Sequence, residues 1–138
     1  MTKRVIHAGG VFPNPTLNRE GKAAVSFMPG TICIFENGKV KPALDDTEEG
    51  IKYVANYDYL RGKDVKSAIK LGDWVVCMHP TQGTFYNVTA NAGVYKKGDP
   101  LQIIEGQVTM GGDASSQFFA EETITITTAG DLLRVVVK

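Results

Sequence analysis

The spacing of apolar and polar positions along the chain is dominated by a period of two. Successive side chains of a strand point to opposite faces, so this alternation predicts half-buried strands. Residues 31–35 are rich in β-branched side chains and follow a Pro29-Gly30 turn. Asn37-Gly38 comes next, ahead of Val40. Both turn residues tolerate the positive φ of a type I′ turn, so a tight hairpin is predicted there. Residues 42–50 read as an acidic loop. Residues 51–59 then alternate, with Ile51, Tyr53, Ala55, Tyr57 and Tyr59 on one face and Lys52, Val54, Asn56 and Asp58 on the other. That stretch is expected to be a strand whose aromatic face packs on something. A helical spacing, Val65, Ala68 and Ile69, occurs only within residues 61–70, where Gly62 limits it to a turn or two.

A local pattern recurs further on. Gly72-Asp73, Gly98-Asp99 and Gly130-Asp131 each stand just before an apolar run. Glycine supplies the unusual φ and aspartate bonds back to the local backbone, so each pair predicts a turn feeding a strand. Residues 84–89, 107–109 and 122–127 add further strands, and residues 111–116 form a loop. The apolar end of the chain, residues 132–137, suits a strand covered on both faces. The expected fold is mainly β, a small sandwich or barrel with at most one short helix.

The first twenty-five residues differ in character. Glycines, Pro13 and Pro15 interrupt Val5, Ile6, Val11, Phe12 and Leu17, and neither period survives. Residues 1–25 are expected to be an extended arm, and residues 26–138 the β domain. The arm either wraps its own domain or binds a neighbour. In the second case removing residues 1–18 leaves the domain folded.

Composition narrows the function classes. Fifteen basic and fifteen acidic residues cancel, and the densest basic set (Arg61, Lys63, Lys66, Lys70) is interleaved with Asp58 and Asp64. A nucleic-acid partner is not expected, because such binders carry a clustered basic excess. No secretory leader or membrane-spanning run is read, so synthesis in a cytoplasm is expected. Cys33 and Cys77 sit inside apolar runs and are expected in the core, with pairing left open.

Catalytic chemistry is hard to assemble from these residues, and no enzyme activity, cofactor or metal is expected. His7 and His79 lack partners at metal-ligand spacing. Cys77 and His79 share a strand face and form the one conceivable nucleophilic pair, without an orienting third group. Asp45, Asp46, Glu48 and Glu49 lack the alternation of a calcium loop. The phosphate-binding glycine motifs are absent. Tyr53, Tyr57 and Tyr59 suit either packing or stacking on sugars.

Several features together resemble the head decoration, or capsid cement, proteins of tailed bacteriophages. They are the arm around Gly9-Gly10-Val11-Phe12-Pro13-Asn14-Pro15, the Pro29-Gly30-Thr31-Ile32 start of a first hairpin, and the Gly72-Asp73 and Gly98-Asp99 turns, the latter preceded by Asn91-Ala92-Gly93-Val94-Tyr95. The resemblance implies a virion protein on the outer capsid surface that stabilises contacts between major capsid subunits and assembles as a homo-dimer or homo-trimer. Under it Val11, Phe12, Pro13, Pro15 and Leu17, with Tyr53 and Tyr57, are the expected interface residues. The competing expectation is a surface recognition module that binds carbohydrate or protein through the aromatic strand face.

Overall fold

The computed structural model describes residues 3–10 and 18–138. Among these, thirteen strands and one short 3-10 turn (Tyr59–Arg61) make the fold mainly β, as the alternation predicts. The first half holds β1 (His7–Gly10), β2 (Asn18–Ala23), β3 (Ile32–Glu36), β4 (Lys39–Pro42), β5 (Tyr53–Ala55) and β6 (Trp74–Met78). The second half holds β7 (Thr84–Thr89), β8 (Gly93–Tyr95), β9 (Pro100–Ile104), β10 (Gln107–Met110), β11 (Phe118–Ala120), β12 (Ile124–Ile126) and β13 (Leu132–Val137).

Five strands close a small barrel in the order β2-β4-β3-β5-β6. β2 runs antiparallel to β6 and parallel to β4, and the β2–β4 pair completes the ring. Closure removes free strand edges, which would otherwise pair with other chains. The Asn37-Gly38 hairpin joins β3 to β4 as expected, with φ of 52° and 76° at its two central residues. The barrel interior is filled by one apolar cluster that includes Val40, Tyr53, Val75 and both cysteines. Cys33 and Cys77 are buried and unpaired.

β1-β7-β13-β11-β9-β10 form a six-stranded sheet, and β12 pairs with β8 apart from it. The apolar end run is β13, held between β7 and β11 with most of its side chains buried. Each Gly-Asp turn has its glycine at positive φ, at 86°, 94° and 97° in Gly72, Gly98 and Gly130. In the first two, the aspartate carboxylate accepts from the backbone N–H three residues earlier, at 3.0 Å in both.

Barrel and sheet share a second apolar cluster, in which Ile32, Ile34, Val54 and Met78 of the barrel meet Tyr86, Leu101, Val108 and Leu133 of the sheet. The tip of the β9–β10 hairpin stitches the two together. The Gly106 N–H donates to the Ala43 carbonyl at 2.7 Å, and the Gly106 carbonyl accepts from Ile32 N–H at 2.8 Å.

The described parts of residues 1–25 belong to these sheets. β1 pairs with β7, Ile6 is wholly buried in the shared core, and β2 is a barrel strand. Removing residues 1–18 would therefore strip a sheet strand and a core side chain, and would not leave the domain intact. One strand expectation is corrected. The strand expected over residues 51–59 is confined to Tyr53–Ala55, because all three residues are buried and the chain then turns outward through Asn56 and Asp58. The helical spacing in residues 61–70 yields turns only, within the turn or two expected, with Val65 and Ile69 buried as anchors.

Candidate functional site

The tyrosines expected to share one face are separated by the end of β5. Tyr53 points into the barrel, where its ring meets those of Phe35 and His79 edge-on at 5.3 Å and 5.7 Å. It is 7% exposed and offers no surface to a partner. Tyr57 lies beyond β5, half-buried against the shared core, and its ring stands 6.0 Å from that of Tyr59, which is exposed. Val11, Phe12, Pro13, Pro15 and Leu17 lie outside the described residues.

Around Tyr59 the structure gathers large apolar side chains far apart in sequence. Tyr57, Tyr59, Leu60 and Trp74 line one cleft on the outside of the barrel, floored by Ile69 and Val76. Leu60 is 78% exposed, and Trp74 and Tyr59 are each about half exposed, at 56% and 51%. Leu71, also exposed, sits in the Lys70–Asp73 turn that leads into Trp74. Such a gathering of exposed apolar surface marks a place where something else binds. Trp and Tyr are also the residue types that most often carry binding energy at protein interfaces.

The local sequence explains the presentation. Val75 and Cys77 face the barrel interior, so alternation turns Trp74 and Val76 outward. Asp58 caps the turn that raises Leu60, its carboxylate accepting from Arg61 N–H at 3.2 Å. The Lys22 ammonium stands 5.6 Å from the centre of the Trp74 ring, at the polar rim of the patch. A neighbouring cleft of about 310 Å³ opens on the other side of the tyrosines and is lined by Val5, His7 and Asn18. Tyr57 and Tyr59 thus form a ridge between two hollows.

The pattern of the sequence points to Tyr57 but not to Leu60, Leu71 or Trp74. Trp74 looks like the head of a buried run. It is exposed because a five-stranded barrel has room inside for one face of each strand only. That signal requires knowing that the strands close.

Burial raises the Cys77 thiol to about 12, against a usual 9.0, which favours the neutral thiol over the nucleophilic thiolate. The acidic loop is tied into its own backbone. The Asp45 carboxylate accepts from the Thr47 hydroxyl and the Thr47 and Glu48 N–H groups. Glu48 accepts from Leu44 N–H at 2.8 Å. Among the described residues no group of three or more His, Cys, Asp or Glu is placed to hold a metal, and no helix is long and apolar enough to cross a membrane.

No protein-family model matches the chain, and no curated protein matches it. Among solved structures it is similar to the N base of head fiber gp8.5 of bacteriophage phi29, with a TM-score of 0.61 and 18% identity. The match covers 89% of this chain and 94% of that one, so the barrel and the sheet are shared together. At that identity the likeness is one of fold.

Proposed function

We propose that this chain is a non-enzymatic structural protein of a phage head. It binds the outer surface of the assembled capsid and stabilises contacts between major capsid subunits. The observation that carries the reading is the fold held in common, over nearly the full length of both chains, with a phage head fiber base. The exposed cluster of Tyr59, Leu60 and Trp74 is the docking surface, seated on a closed barrel that offers no strand edge as a competing contact. Residues 11–17, with Val11, Phe12, Pro13, Pro15 and Leu17, supply a second contact. Each copy needs only a modest interface, because repeated copies on one shell that also touch each other gain from multivalency.

The test is co-sedimentation of the purified protein with empty, expanded tailed-phage capsids that lack it. Saturation at a fixed ratio to the major capsid subunit is expected. A Leu60→Ser, Trp74→Ser variant should fold normally, since both side chains face solvent, and should bind about 30-fold more weakly, as losing an interface anchor costs about 2 kcal/mol. Replacing residues 11–17 with a Gly/Ser segment of equal length keeps β1 and β2 and isolates the second contact. A protein that stays monomeric in light scattering and binds no shell would overturn the proposal.

A further inference from the structure

A cavity of about 570 Å³ opens at the seam between barrel and sheet, away from the aromatic cleft. Its walls come from the loop before β5, the His79-Pro80 link from β6 to β7, β9, and the loop before β11. Four polar side chains in it offer hydrogen-bonding groups. Lys52 is 7% exposed, and its ammonium donates to the carbonyls of Glu48 and Gly50, leaving one of three N–H bonds free. Asp46 accepts from Ile103 N–H through Oδ2 at 3.1 Å, leaving Oδ1 open. His79 lines the cavity and buries Nδ1 without a hydrogen-bond partner. Gln117 lines the same cavity and brings a side-chain amide that can both donate and accept.

The charge in the cavity selects the class of ligand. Lys52 and Asp46 both line it, and the Asp45 and Glu48 carboxylates lie close enough to feel the ammonium. An anion would find Lys52 already compensated, and a cation would meet the same ammonium. Of the side chains that line the cavity only Lys52 and Asp46 are charged, and they cancel, while Glu48 is also paired with Lys41; what remains is a set of donors and acceptors above an apolar floor of Ile51, Pro80 and Ile103. A pyranose ring matches this set. Its hydroxyls both donate and accept, and its C–H face rests on apolar side chains, the mix of few placed polar groups and apolar wall that ligand pockets use.

We infer that this cavity is a binding site for a neutral pyranose sugar, held by Asp46, Lys52, His79 and Gln117. It is independent of the capsid-docking face. The test is titration of the isotopically labelled full chain with methyl glucopyranoside, methyl galactopyranoside and the methyl glycoside of N-acetylglucosamine, followed by amide NMR. Sodium phosphate and sodium acetate are the anionic arms. At least one sugar should produce saturable shifts confined to residues 46–52, 79–80, 103 and 115–117, with millimolar affinity. Gln117→Ala and Asp46→Asn should each weaken it about tenfold, and in the second variant the side-chain amide oxygen can still accept from Ile103 N–H. Shell co-sedimentation of both variants should be unchanged, so the two readings stand or fall separately. No shift with any sugar to tens of millimolar, shifts elsewhere, or stronger shifts of the same residues by phosphate or acetate would overturn the inference.

Discussion

Cys33, Cys77 and Tyr86 show how burial changes the chemistry of a side chain. Desolvation raises the Cys33 thiol well above its usual 9.0, raises Cys77 to about 12, and moves the Tyr86 phenol from 10.0 to about 12. In each case the neutral form is favoured by the folded state, so the folded chain holds protons that the unfolded chain gives up. The stability these groups contribute is complete below pH 9.0, where both states are protonated, and is lost as pH rises towards about 12. Urea midpoints should therefore be flat from neutral pH to about pH 9 and fall steadily above it. A Cys33→Ala, Cys77→Ala variant should show a shallower fall, and a wild-type profile level to pH 12 would contradict the burial argument. The core placement of the cysteines was legible in the sequence because apolar runs surround them. The inward turn of Tyr53 was not, since alternation assigns it the same face as Tyr57 and says nothing of where the strand ends.

At the scale of elements, two hairpins with the same turn geometry differ in how they could be read. Asn37-Gly38 carries the residues that a type I′ turn favours, and the turn stands where those residues predict it. Glu105-Gly106 makes the same turn, with φ of 49° and 79°, but a glutamate at positive φ gives no such sign. Its reason is tertiary. A Cβ on Gly106 would lie 2.5 Å from Thr31 Cγ2 and 2.9 Å from Pro42 Cβ, so only a bare backbone can enter between β3 and β4. A Cβ on Gly38 would meet nothing within 4 Å. Gly38→Ala should then cost about 1–2 kcal/mol, the strain of a left-handed alanine. Gly106→Ala should cost about 1–3 kcal/mol more, for overpacking on top of the same strain. Urea denaturation of the two variants measures the difference, and equal losses would mean that the hairpin tip is not a fitted joint. The Gly-Asp turns, by contrast, were legible because what they need is local: a glycine at positive φ in all three and, at Asp73 and Asp99, an aspartate bonding back over three residues.

For the whole molecule the question is whether barrel and sheet are two folding units or one. Local patterns could not answer it, because the contacts that join them link residues distant in sequence. Ile6 shares a core with side chains of both halves, and β1 carries the start of the chain across to β7 before β2 opens the barrel. A cluster common to both halves means that neither buries its apolar surface alone, which predicts one cooperative transition. The single tryptophan, Trp74, reports on the barrel, while far-UV circular dichroism reports on every strand. The two should trace the same denaturation curve in the wild type. Ile6→Ala removes a wholly buried side chain and should cost about 2–5 kcal/mol. If the shared core couples the halves, the variant's two curves shift together, and the barrel loses stability through a mutation outside its strands. If the sheet instead melts first while Trp74 stays native, the halves are separate units. The rigid presentation of the aromatic cleft would then depend on the barrel alone.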